Sequence, residues 1–265
     1  DDTRLQEWLA VAGQMPVPGG LPARVAWLSL AHQAKVGAAL NRLVRDEDSA
    51  ATVDTVVIGH DMRASSPSLS DAFAEGVIAQ GLDVVRIGLA STDQLYFASG
   101  LLNCPGAMFT ASHNPAAYNG IKLCRAAALP VGRETGLATI AQEVIDGVPA
   151  YDGAAGTITD RDLLAEYGEF LRSLVDLSAM RSLRVAVDAG NGMGGHTTPA
   201  VLGAIPGITV LPLYFELDGT FPNHEANPID PENLRDLQAR GVAEEAGVGL
   251  AFDGDADRCF VIDEN

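Results

Sequence analysis

Cysteine is scarce in this 265-residue chain, and its three copies, Cys104, Cys124 and Cys259, are widely scattered with no C-x-x-C pair. An odd, scattered set excludes a disulfide framework and predicts reduced thiols, as in the cytoplasm. Positive charge is also scarce: 17 Lys and Arg stand against 35 Asp and Glu, a formal net charge of −18. Nucleic-acid binding leaves a basic footprint, so that class of partner is not expected. An anionic substrate remains compatible with this charge only where cationic side chains or a metal gather locally. Long apolar runs are missing as well. None approaches the roughly 18–20 residues that cross a bilayer, and Asp1-Asp2-Thr3-Arg4 lacks the basic flank and apolar core of a signal peptide. A membrane partner is not expected.

What is present is ordinary globular composition, 47% hydrophobic and 20% charged, on a length that suits one large or two smaller domains. Leu5, Trp8 and Leu9 suit a short helix before the breaker Pro16-Val17-Pro18-Gly19-Gly20. Helical spacing runs from Trp27 to Val44 through Leu28, Ala31, Ala34, Val36 and Leu40. Strands and helices then alternate. Strands are predicted at 55–58, 84–87, 106–110, 120–123, 183–187, 208–214 and 248–252. Helices are predicted from Ser66-Pro67 to Gly81, near 93–99, at 136–145 and over 231–246. The segment 146–160, with Gly147, Pro149, Gly153 and Gly156, reads as a linker. Thr159 with Asp162 resembles a capping box opening a helix whose face is Leu163, Tyr167, Phe170, Leu171 and Leu174. The expectation is an α/β protein of two α/β domains, 1–149 and 150–265, each a mixed sheet with helices on both faces. The second domain reads as cut off, because Cys259–Asn265 follows a strand with no closing helix.

Two stretches carry chemistry. Thr110-Ala111-Ser112-His113-Asn114-Pro115 follows a predicted strand directly, and a polar turn at a strand's C-terminal end is where α/β proteins place reacting groups. No G-x-S-x-G elbow surrounds Ser112, and a serine merely held by Asn-Pro turn chemistry is the plain alternative. Asp253-Gly254-Asp255-Ala256-Asp257-Arg258 follows the apolar strand 248–252. Carboxylates at alternate positions of an extended segment project to one side and offer hard oxygen ligands for Mg²⁺ or Ca²⁺. Arg258 beside them suits a phosphate. A solvated acidic turn is the alternative, though the apolar run leading in speaks against it.

T-A-S-H-N-P followed by D-G-D-A-D-R is similar to the signature pair of the α-D-phosphohexomutase family, which includes phosphomannomutase and phosphoglucomutase. Gly59-His60-Asp61-Met62-Arg63, Asn119-Gly120-Ile121-Lys122 and Asp188-Ala189-Gly190-Asn191-Gly192 extend the resemblance from about residue 50 onward. It implies that Ser112 is a phosphoserine and a ligand of Mg²⁺ together with Asp253, Asp255 and Asp257. It implies that Arg258 contacts the phosphoryl group and that Lys122 is a proton shuttle or phosphate contact. His113 and Asn114 flank the serine and shape its loop; His113 is a candidate general base and Asn114 a candidate phosphate contact. The implied reaction interconverts hexose 1-phosphate and hexose 6-phosphate through a hexose 1,6-bisphosphate, with mannose phosphate favoured over glucose phosphate. Departures are the segment Gly13–Trp27, which lacks the family's Arg-Gly and has only Arg24 as a weak substitute, and the absence from this chain of the sugar- and phosphate-binding domains.

Rival readings are weaker. Gly190-Asn191-Gly192-Met193-Gly194-Gly195, with Glu216 downstream, satisfies a dinucleotide fingerprint, but Thr197-Thr198-Pro199 starts a helix poorly and a structural glycine loop is preferred. Asp253, Asp255, Asp257 and Glu264 match EF-hand positions, but Arg258 replaces the turn glycine. A phosphatase with an aspartate nucleophile would leave Ser112 without a role. A non-catalytic Mg²⁺-binding fragment is the alternative from another class.

Overall fold

The computed structural model describes residues 30–47 and 54–263. The helix expected around Leu5–Leu9, the segment Gly13–Trp27 with Arg24, and Glu264 lie outside the described residues. The first sheet and its helices comprise α1 (Leu30–Glu47), β1 (Thr55–His60), α2 (Ser66–Ala79), β2 (Asp83–Leu89), α3 (Thr92–Leu102), β3 (Gly106–Phe109), β4 (Ile121–Arg125), β5 (Leu129–Pro130), α4 (Ala138–Asp146) and β6 (Ile158–Asp160). Strand order is β5-β4-β3-β1-β2-β6. β3, β1, β2 and β6 run parallel, and β4 and β5 are added antiparallel.

The central strands β1 and β3 are buried on both faces, which explains why they read as continuous apolar runs. Val56, Ile58, Val84 and Phe109 pack with Leu40 of α1, Phe73 of α2 and Ile140 of α4. The intervening Val57, Ile87 and Met108 pack on the other side with Leu95 and Ala98 of α3 and with Leu163. α1 and α2 cross closely: a Cβ on Gly76 would lie 1.8 Å from the Ala34 carbonyl oxygen, so only glycine admits that approach.

The second sheet holds β7 (Leu183–Asp188), β8 (Ile208–Leu213), β9 (Val248–Phe252) and β10 (Cys259–Ile262) in the order β10-β9-β7-β8, with β10 antiparallel to β9. Its helices are α5 (Leu164–Ser173), α6 (Gly194–Val201) and α7 (Arg235–Ala243). Leu237 of α7 packs on Ala186, Leu211 and Ala251. On the opposite face, α6 lies so close that a Cβ on Gly194 would sit 3.1 Å from the Phe252 Cβ.

Five local expectations need correction. The stretch 146–160 is not all linker, since Ile158–Asp160 pairs with β2 as the last strand of the first sheet. Thr159 is therefore in a strand, and α5 begins at Leu164, whose N–H donates to Asp162 Oδ1. Leu163 and Tyr167 of its face are buried, but Phe170 and Leu174 are exposed. Ser66 does not cap α2; Ser65 precedes the helix, and Ser66 Oγ donates instead to Asp61 Oδ1 at 2.6 Å. α6 forms despite its poor start and carries Pro199 inside it.

Candidate active site

The Ser112 loop starts where β3 ends. Ser112 has φ 52°, a left-handed conformation that an L-residue with a side chain adopts only when its surroundings enforce it. The enforcing groups are visible. Thr110 Oγ1 accepts the Ser112 N–H at 2.9 Å, and the Asn114 N–H and side-chain amide both donate to the Ala111 carbonyl. Arg63 contributes most. Its guanidinium donates through Nη2 to the Ser112 and Asn114 carbonyls (2.8 and 2.7 Å), through Nη1 to those of Pro115 and Tyr118 (2.9 and 3.0 Å), and through Nε to Asp61 Oδ2 (3.1 Å). All five N–H donors are engaged, and the residue is 1% exposed.

The acidic loop is the turn of the β9–β10 hairpin rather than an extended segment. The Asp253 N–H donates to the Arg258 carbonyl, and Ala256 takes φ 58°. This turn, not strand alternation, converges the aspartates: one oxygen of each of Asp253, Asp255 and Asp257 lies within 4.8 Å of the others. Asp253 and Asp255 are fully buried.

The two loops meet. Ser112 Oγ donates to Asp253 Oδ2 at 2.7 Å and accepts a short hydrogen bond from Arg258 Nη2. The same Nη2 donates to His113 Nδ1 at 2.7 Å. A guanidinium cannot accept, so His113 Nδ1 carries the lone pair and its Nε2 carries the proton. Burial and the Arg258 charge hold the His113 pKa below its usual value. Lys122 on β4 bridges Asp255 Oδ2 (2.6 Å) and Asp257 Oδ2 (2.5 Å). Thr92, at the start of α3, adds two bonds to Asp255: its hydroxyl donates to Oδ2 at 2.5 Å and its N–H to the carbonyl at 3.1 Å. Asn114 differs from the rest of the set, because its side-chain N–H is turned back on its own loop.

Electrostatics suit a cation here. Burial and then the Asp255 charge push Asp253 up to about 6. Burial also opposes ionisation of Asp255, but Lys122 and the hydrogen bonds from Lys122 and Thr92 outweigh it, and that pKa falls. Asp255 Oδ1 and Asp257 Oδ1 are buried without a hydrogen-bond partner. Arg258 Nε stands 3.5 Å from Asp257 Oδ1, but buried carboxylate oxygens without a hydrogen bond in an acidic triad are costly unless a cation meets them. The donor set, all oxygen, suits a hard divalent ion such as Mg²⁺.

The glycine loop is a buttress. The Asn191 N–H donates to the Tyr214 carbonyl, the Gly192 N–H to that of Ala189 and the Met193 N–H to that of Gly254 in the acidic turn. Those N–H groups are therefore not available to cradle a pyrophosphate, and the dinucleotide reading is set aside.

Residues 23–147 match the family model described as phosphoglucomutase/phosphomannomutase, alpha/beta/alpha domain I, and residues 165–265 match alpha/beta/alpha domain II of the same family. The chain belongs to the phosphoglucomutase/phosphomannomutase family. A protein of Xanthomonas campestris named "Phosphohexose mutases" is 42% identical over 214 residues, 78% of this chain and 46% of that protein. The phosphomannomutase/phosphoglucomutase of Pseudomonas aeruginosa is 37% identical over 226 residues, 84% of this chain and 47% of that protein. Among solved structures, a phosphoglucomutase/phosphomannomutase family protein from Burkholderia thailandensis superposes with TM-score 0.77 at 33% identity, covering 87% of this chain and 50% of that one. The chain thus spans about half the length of the curated relatives it matches.

Reading the sequence alone missed three residues that build the site, namely Arg63, Thr92 and Phe221, whose ring lies 5.0 Å from the Arg63 guanidinium. Arg63 had a signal in the Gly59–Arg63 stretch that shares in the family resemblance. Ser91-Thr92 had a weaker one as a helix start. Phe221 had none.

Proposed function

We propose that this chain is the nucleophile- and metal-bearing half of a phosphohexomutase, which interconverts hexose 1- and 6-phosphates through phosphorylated Ser112. The observation that carries the reading is the meeting of Ser112 Oγ with Asp253 Oδ2 at 2.7 Å across the two sheets, with Arg258 on the same oxygen. Phosphoryl transfer asks for an in-line oxygen, cationic groups around the equatorial oxygens and little else from the protein. In the forward step the O–P bond at Ser112 Oγ breaks as one forms at the free sugar hydroxyl, whose proton leaves for a nearby base. In the return step Ser112 Oγ attacks the other phosphate of the hexose 1,6-bisphosphate and gives up the proton it now shares with Asp253, while the bond from that phosphorus to the sugar oxygen breaks and the sugar oxygen takes a proton to become a hydroxyl.

Asp253, Asp255 and Asp257, with an oxygen on Ser112, would hold Mg²⁺. When bound, that ion neutralises charge developing on the phosphoryl oxygens. Arg258 orients the phosphoryl group, and Lys122 either contacts it or carries a proton. His113, with Nε2–H as its free donor, fits a phosphate contact better than a general base. Asn114 shapes the loop. We place the domain boundary after β6, since that strand belongs to the first sheet. Mannose phosphate is the favoured substrate, supported by relatives named phosphomannomutase in Escherichia coli and Vibrio cholerae. A cytoplasmic setting fits the free thiols of Cys104, Cys124 and Cys259.

The test is to incubate the protein with glucose or mannose 1,6-bisphosphate and Mg²⁺ and to locate the phosphoryl group by fragmentation mass spectrometry. One group on Ser112, absent from Ser112→Ala, is expected. A Ser112→Ala protein labelled as fully as wild type would sink the assignment. Because the chain spans half its relatives' length, cation binding with no labelling of the wild type would favour the non-catalytic fragment.

A further inference from the structure

The Arg63 guanidinium is sealed by the second domain. The loop Asp218–Phe221 reaches across so that Phe221 lies over it at 5.0 Å, and a Cβ on Gly219 would fall 2.7 Å from the Arg63 Cα. Phe221 is 8% exposed and has φ 52°. A bulky residue in the left-handed region is a genuine outlier, held there by its surroundings. Here Asp218 does the holding. Its carbonyl accepts the Phe221 N–H at 3.0 Å, and its Oδ1 accepts the Thr220 N–H and hydroxyl at 2.8 and 2.7 Å. The Asp218 N–H in turn donates to the carbonyl of Asn191, in the glycine loop that buttresses the acidic turn. The tip of the Phe221 ring also lies 3.7 Å from where a Gly254 Cβ would be, and that same point is 2.4 Å from the Ser112 carbonyl oxygen. One ring therefore touches the cation that shapes the serine loop and borders the turn that carries the aspartates.

We propose that Phe221 and Arg63 are positioning residues, through which the second domain sets the register of Ser112 against the acidic turn. Neither reaches substrate: Arg63 has no free donor and is shut from solvent, and Phe221 offers only a ring. Phe221 holds the guanidinium by its ring face, and the guanidinium holds four carbonyls of residues 112–118 in the conformation that aims Ser112 Oγ at Asp253. Strain at Phe221 is what a loop shaped for a contact, rather than for its own stability, is expected to carry. The consequence for turnover rests on the phosphohexomutase reading; the structural coupling does not.

Hydrogen exchange read by mass spectrometry tests the coupling without any activity. Phe221→Leu keeps most of the volume and removes the ring face, while Phe221→Trp keeps a face. In Phe221→Leu, amides of 112–120 are expected to exchange about tenfold faster, with β1, β7 and their neighbours unchanged, and Phe221→Trp should restore protection. Turnover of hexose phosphate should fall by about the same factor through kcat with KM nearly constant, and Arg63→Lys, with three donors for five, should fall further. Unchanged exchange at 112–120 in Phe221→Leu overturns the proposal, as does an increase spread evenly over both sheets. If the wild type transfers no phosphoryl group, the mutase reading fails and the exchange result still decides this one.

Discussion

Lys122 is the side chain whose removal says most about the acidic turn. Its ammonium bridges Asp255 at 2.6 Å and Asp257 at 2.5 Å, where Asp255 is fully buried and Lys122 keeps 29% side-chain exposure. Lys122→Met retains the apolar stem and deletes only the charge. Breaking a buried pair by removing one partner costs about 3–5 kcal/mol, because the remaining charge is stranded. Solvent reaching Lys122 and the hydroxyl of Thr92 on Asp255 soften that, so about 2–3 kcal/mol is expected. For a protein of this size that lowers the melting temperature by about 5–10 °C. The assay is thermal unfolding followed by circular dichroism, first with chelator and then across a Mg²⁺ titration. The variant leaves Arg258 as the only cationic side chain contacting the triad among the described residues, so it should bind a divalent ion more tightly than wild type. Because a ligand of the folded state stabilises each protein by RT ln(1 + [L]/Kd), saturating Mg²⁺ narrows the gap by about 1.4 kcal/mol for each tenfold by which the variant binds it more tightly. A deficit under about 1 °C with chelator, or one that Mg²⁺ leaves untouched, would refute the reasoning.

Three further outcomes follow from the same geometry. His224 faces Asp188 Oδ2 through Nε2 at 3.0 Å and the Glu225 carbonyl through Nδ1 at 2.9 Å, and the Asp188 hydrogen bond raises its pKa above 6.5 against the effect of burial. A raised folded pKa gives stability that is complete below the unfolded value and lost as pH rises through the folded one. His224→Gln should therefore cost about 1.5–3 kcal/mol near pH 6 and much less near pH 9, measured by urea unfolding at both; an equal cost at both would reject the charged clamp. Gly254→Ala places a Cβ 2.4 Å from the Ser112 carbonyl oxygen, whereas a Cβ on Gly241 in α7 meets nothing within 4 Å. The first should lose about 1–3 kcal/mol and most phosphoryl transfer, while the second should gain about 0.5–1 kcal/mol; a silent Gly254→Ala would mean that the two loops do not touch. Finally, Asp253 at about 6 competes with the cation for protons, so calorimetric Mg²⁺ affinity should fall about tenfold per unit below pH about 6. Affinity that stays flat down to about pH 5 would exclude Asp253 as a ligand.

What the sequence disclosed depended on how local its cause was. The central strands of the first sheet were legible because burial on both faces makes Val56–Ile58 and Gly106–Phe109 apolar without interruption. Ser112, Lys122, Arg258 and the three aspartates were legible as residue types in motifs. Their meeting was not, since Ser112 and Asp253 are joined only by the docking of the two sheets. β6 hid in a stretch of glycines because an edge strand of three exposed residues carries no apolar signal. α6 hid because its first turn is glycine and its stability comes from packing on Phe252. Phe221 is the extreme case. Its environment is assembled from Arg63, Gly254 and the Asp218 turn, so nothing around position 221 announces it.

The charge of the site bears on the reading we propose, in which a protein of net charge −18 takes an anionic substrate. Among the described residues the three aspartates make ion pairs with Lys122 and Arg258 only, burial and the Arg258 charge favour the neutral form of His113, and Asp93 is a further carboxylate close enough to act on Asp255 and Asp257. The side chains by themselves leave the cleft net negative, which repels a phosphate in a place where burial magnifies the repulsion. A divalent ion at the triad would offset that excess. The acidity of the turn is therefore not at odds with phosphate chemistry but a condition for controlling it. In that reading anion affinity depends on the cation, and the buried oxygens of Asp255 and Asp257 that lack a hydrogen bond are where the cation would act.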